Sequence, residues 1–286
     1  MTISSRLDLH IHSTVSDGTD SPRKILSLVK DAGLEVFSLT DHDAVKGCRR
    51  ILAARKDGDP TFITGVEFSC RDEFGKYHIL GYGYDPDSPA VNRIVDTGHD
   101  FRMQKVAARL EFLKERFGFA FPEEDIEKLL AEDNPGKPHI ANLMIKHGYA
   151  QDRQDAIRNY IDQKKFKSLS FSPGEVIEGI LAAGGIPVLA HPTYGSGDQL
   201  ILGEEMECRL EHLLGFGLKG LEAFYSGFSD KIREELLDFA DRFDLYVTAG
   251  SDYHGSNKLI SLGDTGLESV EELPNRIRSF LETVIR

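Results

Sequence analysis

A chain of 286 residues has room for one large α/β barrel or for two ordinary domains. Hydrophobic residues make up 40% and charged residues 28%, with no apolar run near 18 residues, which speaks against both a disordered and a membrane-spanning chain. The net charge of −13, from 34 Lys and Arg against 47 Asp and Glu, argues against non-specific binding of duplex DNA. That charge is uneven: residues 99–167 carry 13 Lys and Arg against 12 Asp and Glu, so an acidic body holds a near-neutral segment. Residues 1–8 contain no basic segment followed by an apolar one, so no secretory leader and a cytoplasmic location are expected. Cys48, Cys70 and Cys208, odd in number and without CxxC spacing, read as reduced structural thiols.

Apolar alternation predicts a strand over residues 6–12; Ser16-Asp17-Gly18 then turns the chain, and Ser21-Pro22 opens a helix reaching Ala32. The unit repeats as a strand over 36–40 with a helix over 44–55, and later as strands over 186–190, 220–224 and 246–249 separated by helical periods. Repeated β-then-α units predict a parallel sheet covered by helices. Residues 62–68 and 76–84 read as two strands joined by a turn at 72–75. From 89 to 167 the strand signal vanishes, and amphipathic stretches at 91–117, 122–131, 138–147 and 152–161 predict a helical insertion. Residues 1–88 and 168–286 would then form the body. A GxGxxG match at residues 215–220 closes a helix and precedes a strand, the reverse of a dinucleotide loop, so Gly215 and Gly217 read as helix stops.

Alternation in Asp8-Leu9-His10-Ile11-His12 points His10 and His12 to one side, and imidazole is a common ligand for transition metals. Asp17 follows in a glycine-containing loop. Thr40-Asp41-His42-Asp43 ends the second strand, Glu67 the third, His191 a later one, and Asp252 and His254 the last; His78 lies inside a strand. In a parallel barrel such strand ends meet on one face, where active sites are built. The nine donors His10, His12, Asp17, His42, Glu67, His78, His191, Asp252 and His254 exceed the needs of one tetrahedral ion and predict two or three divalent ions. His99, His147 and His212, on or beside predicted helices, read as structural.

The segments DLHIHSTVSDG, TDHD, GVEFS, HILGY, LAHP and AGSDYHG resemble the PHP (polymerase and histidinol phosphatase) family over nearly the whole chain. More narrowly they resemble its TrpH/YciV-like branch of bacterial metal-dependent phosphoesterases. The resemblance implies an α/β fold, a distorted (β/α)7 TIM-like barrel whose helical insertion caps the substrate. It implies that His10, His12 and Asp252 hold one ion, that Glu67 bridges to a second held also by His78 and His191, and that Asp17, His42 and His254 hold the remaining one. Manganese is the expected metal, with iron or zinc as alternatives. Asp17, His42, His191 and His254 are the expected catalytic residues. Asp41 is expected to orient an imidazole, and Asp8 and Asp43 either to do likewise or to cap turns.

Clustered dications offset the repulsion between hydroxide and a phosphate ester and acidify a bound water, so in-line attack by a metal-bound hydroxide is expected. A metal-bound water or a rim histidine would protonate the leaving alkoxide. Arg102 and Lys105, one helical turn apart, with Lys137 and His139, are the expected substrate contacts. Lys105 and Lys137 stand where similar family members carry arginine, and lysine makes no bidentate fork. Tyr194 and Ser16 lie close to the rim motifs. The expected reaction is release of inorganic phosphate from a small nucleotide, a nucleoside 3′,5′-bisphosphate. A 5′-3′ exonuclease on short 5′-phosphorylated RNA, a histidinol-phosphatase-like enzyme and a non-catalytic metal-binding domain stay open as alternatives. Duplex DNA and membranes are not expected partners, and the protein reads as a monomer.

Overall fold

The computed structural model describes residues 6–166, 168–195, 199–267 and 272–285. Seven strands form one sheet in chain order: β1 (Leu7–Asp8), β2 (Val36–Leu39), β3 (Thr61–Asp72), β4 (Gly75–Tyr82), β5 (Ile186–Leu189), β6 (Gly220–Tyr225) and β7 (Tyr246–Gly250). The ring draws together where the segment after β1 meets the end of β7, with Leu9 N donating to Ala249 O at 2.9 Å and Asp252 N to His10 O at 2.8 Å. The helices α1 (Pro22–Asp31) and α2 (Lys46–Ala54) follow β1 and β2. An excursion of α3 (Pro89–Phe117), α4 (Glu123–Leu130), α5 (Lys137–Lys146) and α6 (Arg153–Asn159) separates β4 from α7 (Pro173–Ala182), and α8 (Gly203–Gly215), α9 (Asp230–Arg242) and α10 (Asn275–Val284) complete the cover. No helix among the described residues is long and apolar enough to cross a membrane.

The sheet departs from the expected parallel arrangement at β4, which runs antiparallel to both β3 and β5. Only two residues, Glu73 and Phe74, separate Asp72 from its partner Gly75, and so short a link can only make a hairpin. The hairpin also carries β3 past its expected end, so Glu67 lies in mid-strand, and the reversal brings His78, near the start of β4, beside Ser69 of β3. The first strand is shorter than its alternation suggests. His10 N donates to Asp8 Oδ1 at 3.2 Å and Ile11 N to Thr40 Oγ1 at 3.1 Å, so at these two positions side chains stand in for ladder partners. The second helix starts two residues late because Asp43 sits in the left-handed region, at φ 48°.

Leu9, Val66, Phe68, Ile79, Val188, Leu221 and Val247 belong to the barrel's core. The excursion packs on a cluster of its own, including Val106, Leu113, Ile140, Met144, Ala156 and Ile161. Its four predicted helices form within three residues of their expected bounds; Lys167, its expected last residue, lies outside the described residues. The long α3 spans both cores, with Val91 in one and Val106 in the other. Gly98 marks the crossing: a Cβ there would press on Asp43 and Phe171 at 3.2 Å. Asp133, paired with Lys46 and with Arg50, ties the excursion to α2 beside the His42 loop.

Candidate metal centre

Two buried aspartates hold the loops from which the site is built. Asp8 accepts from Ser251 N (3.0 Å), Ser251 Oγ (2.6 Å) and Gly263 N (2.8 Å), stitching the end of β1 to the segment after β7. Burial pushes its carboxyl up to about 6 against the pull of those hydrogen bonds. Asp41 accepts from Ser13 N at 2.7 Å and from the hydroxyls of Ser13 and Ser16 at 2.8 Å. It therefore fixes the turn between His12 and Asp17 directly and reaches an imidazole only through Ser16, whose Oγ donates to Asp41 and lies 3.4 Å from His12 Nδ1. Asp43, Asp252 and His191 have positive φ, strained for residues with a side chain, and each stands where the chain leaves a strand for the rim.

Glu67 is the hub of the cluster. Its Oε2 lies 3.0 Å from His42 Nδ1, 3.2 Å from His12 Nε2 and 3.5 Å from His10 Nε2, while Oε1 lies 2.9 Å from His78 Nδ1 and 3.1 Å from His191 Nε2. Asp252 Oδ1 lies 3.3 Å from both His12 Nε2 and His254 Nδ1 and 3.6 Å from His10 Nε2. Asp17 Oδ1 is 3.2 Å from His254 Nε2, and its Oδ2 is 3.9 Å from His42 Nε2. The structure thus brings all nine predicted donors together. Three subsets have ligand atoms within 4.8 Å of one another: His12, Asp17, His42 and His254; His10, His12 and Glu67; His42, Glu67 and His78.

The donor set fits divalent cations. Asp17 Oδ1 and His42 Nδ1, though close to His254 and Glu67, are buried without a well-formed hydrogen bond among the described residues, and lone pairs converging on shared space need a positive charge between them. In the metal-free protein, protons supply part of it. Burial opposes charge on His12, but hydrogen bonds to Asp252 and Glu67 overcome this and hold the imidazole up at about 9. Buried His42 is pushed down to about 3, so it offers a neutral nitrogen. Because a metal needs the neutral ring, metal uptake at pH 8 should expel about one proton or more. Calorimetry in buffers of different ionisation heat checks this; heats independent of buffer would contradict it.

Sequence reasoning missed Glu222. Fully buried in β6, it places Oε1 3.0 Å from His10 Nδ1 and accepts the His191 backbone N–H on Oε2 at 2.8 Å. The available signal was a lone carboxylate inside the apolar strand Gly-Leu-Glu-Ala-Phe-Tyr, where an unpaired charge would be costly. Two further groups hold the outer oxygen of Asp252: Lys258 pairs with it, and the Tyr225 hydroxyl donates to it at 3.0 Å. Asn134, from the excursion, donates to the His42 carbonyl. His99, His147 and His212 are committed to Asn134, Asp125 and Asp72, away from the cluster.

A cavity of about 680 Å³ lies over the cluster, lined by Asp17, His42, His191 and His254 below, by Arg153 and Ile157 of α6, and by Tyr194. A second chamber of about 250 Å³ shares His78 with it and contains Arg102, Lys105 and Lys137. Of the expected substrate contacts, Arg102 pairs with Asp43 and Lys137 with Asp162, while Lys105 has no ion-pair partner among the described residues. His139 Nδ1 accepts the Gly136 N–H at 3.1 Å at the start of α5, so that nitrogen serves the helix.

A family model for the PHP domain matches residues 8–183, a span containing six of the nine donors. A 5′-3′ exoribonuclease of Haemophilus influenzae is 29% identical over 264 residues, covering 91% of this chain and 94% of that protein. A 3′,5′-nucleoside bisphosphate phosphatase of Chromobacterium violaceum is 28% identical over 277 residues, covering 94% and 93%. The crystal structure of a metal-dependent phosphoesterase from Bifidobacterium adolescentis aligns at a TM-score of 0.82 and 29% identity, over 97% of this chain and 96% of that one. A match that starts at the first ligand strand and runs through the hairpin and the excursion places this chain in the PHP family, as a metal-dependent phosphoesterase.

Proposed function

We propose that the chain hydrolyses the ester at the 3′-oxygen of a nucleotide whose 5′ end carries a phosphate, a nucleoside 3′,5′-bisphosphate being the simplest case. The basic chamber carries this reading: it opens beside the metal cluster, meets it at His78, and offers cations to a second phosphate. The activities named for the two relatives then share one bond. An exonuclease starting from a 5′ end breaks the link between phosphorus and the first 3′-oxygen, and a bisphosphatase acting at the 3′ position breaks the same link. A cationic amine substrate fits such a chamber poorly.

On this reading His10, His12 and Asp252 with Glu67 Oε2 hold one ion, Glu67 Oε1 with His78 and His191 a second, and Asp17, His42 and His254 a third. Divalent ions there, manganese being the first to try, neutralise the phosphate and acidify water. His10 and His12 are sealed from solvent, whereas Asp17, His42, His191 and His254 line the cavity and face the reacting group. Glu222 fixes the His10 ring so that Nε2 points at Glu67 and Asp252. Arg102, Lys105 and Lys137 orient the retained phosphate, with His139 at the base of α5 supporting the turn that presents Lys137.

The test is chromatography of products after incubating the Mn²⁺-loaded protein with adenosine 3′,5′-bisphosphate and, in parallel, with short RNA carrying a 5′-monophosphate. Phosphate release from the bisphosphate is expected. Stepwise nucleoside 5′-monophosphates from the RNA would extend the reading to an exonuclease, for which the open cavity leaves room; turnover of neither overturns it. A pH profile adds a second check. Burial, with help from Arg102, Arg109 and Lys137, pushes the Lys105 ammonium down to about 8. A cation lost as pH rises weakens phosphate binding, so kcat/KM should fall above about pH 8, and Lys105→Arg should carry that fall to higher pH. An unchanged profile in the variant would remove Lys105 from the site.

A further inference from the structure

The basic chamber holds more positive charge than one phosphate can use. Among the described residues its lining contains eight Lys and Arg against Asp43 and Asp162, a surplus of six, whereas a phosphate monoester carries about −2 at neutral pH. The two aspartates are already paired, with Arg102 and Lys137. Six stay without an ion pair among the described residues: Lys105 and, one helical turn on, Arg109 of α3; Arg71 and Lys76 of the hairpin; and Lys164 and Lys165.

Arg109 is the unusual member. Only 8% of it is exposed, its Nε has no hydrogen-bond partner, and no carboxylate pairs with it among the described residues. Its guanidinium lies over the Phe166 ring at 5.1 Å, which holds the group in place without neutralising it. A buried, unpaired cation is costly unless an anion arrives to meet it. Burial pushes Arg109 down to about 10 against the pull of Asp162, and burial with the nearby Lys137 lowers Lys76 in spite of the same aspartate, so one carboxylate already paired with Lys137 serves several cations.

We propose that Arg109, Lys105 and Lys76 seat the outer phosphates of a 5′-polyphosphate, so that the chain prefers nucleoside 3′-phosphates carrying a 5′-di- or triphosphate to the 5′-monophosphate. The inference rests on the reaction proposed above. Water still attacks the 3′-phosphate, inorganic phosphate leaves, the 3′-oxygen takes the proton, and the 5′-polyphosphate departs unchanged. Each phosphate added at the 5′ end brings at least about one more negative charge into the surplus.

Two measurements separate the seat from the reaction. The first is calorimetric binding of ATP and of AMP, neither of which carries a 3′-phosphate, to the Mn²⁺-loaded protein with free Mn²⁺ held constant. ATP is expected to bind about tenfold more tightly or better, and Arg109→Met should bring the two affinities together. The second is the ratio of kcat/KM for adenosine 3′-phosphate 5′-triphosphate over adenosine 3′,5′-bisphosphate, expected to be about ten or more and to fall toward one in the variant. Should Arg109→Met not fold, judged by its melting curve, exposed Lys76→Gln serves instead and should lower both ratios. Equal binding of ATP and AMP, or an ATP preference unchanged in a folded variant, overturns the seat. A preference for ATP that depends on Arg109, with no hydrolysis of either 3′-phosphate, upholds the seat and overturns the reaction. A gain that follows added nucleotides instead of added phosphates assigns the chamber to an RNA backbone and overturns the polyphosphate reading.

Discussion

Glu67→Gln is expected to lower kcat by about 1,000-fold or more, even at saturating Mn²⁺. The two oxygens of Glu67 are shared among five imidazoles, three on Oε2 and two on Oε1. Glutamine keeps the shape but loses the charge, and its amide N–H₂ would face ring nitrogens that must keep their lone pairs for metal. If Glu67 holds two ions as proposed, excess metal would not replace its charge, so activity should stay lost across a Mn²⁺ titration. The fold should persist with cooperative melting, because the barrel's stability comes from its apolar core, where Val66 and Phe68 flank Glu67 in β3. Turnover in the variant within tenfold of the parent would remove Glu67 from the centre of the site.

Glu222→Gln should behave differently. Glu222 touches no predicted substrate contact; it accepts from the backbone of His191 and holds Nδ1 of His10. One of these two bonds becomes donor facing donor in the variant, which frees the His10 ring to turn and weakens Nε2 as a ligand. Groups that orient a ligand in this way typically contribute about 10–100-fold to metal affinity. The expected result is a rightward shift of that size in the Mn²⁺ activation curve, with most of kcat regained at high metal. Glu222→Leu removes the acceptor altogether and leaves two buried donors bare, at a cost of about 1–3 kcal/mol in stability. A Glu222→Gln protein with an unshifted Mn²⁺ curve would show that the carboxylate serves only the fold.

How much of this could be read from the chain depends on the range of the forces involved. Ser21-Pro22 does start a helix at its cap, and the amphipathic periods of the excursion give α3 to α6, because capping and helical periodicity act over a few residues. The strand-end positions of His10, His12, His42, His191, Asp252 and His254 were visible for the same reason: a β-then-α repeat puts such ends on one face wherever its strands run parallel. His78 looked out of place because its strand runs backward, which follows from the two-residue link between Asp72 and Gly75 and not from the pattern around the histidine.

The sequence by itself determined the β-then-α order with its helical excursion, the nine candidate donors and the acidic body, since each is written in local pattern or in composition, while the barrel came from the resemblance of its motifs. Only the tertiary structure decided which oxygen of Glu67 faces which ring, that Glu222 stands behind His10 and His191, and that Asp41 braces a turn. It alone decided that Arg102 and Lys137 are already in ion pairs while, among the described residues, Lys105 and Arg109 are not. These are contacts between residues from 11 to more than 200 positions apart. A hydrogen bond or an ion pair depends on distances of a few tenths of an ångström, and only packing the whole chain sets distances that fine.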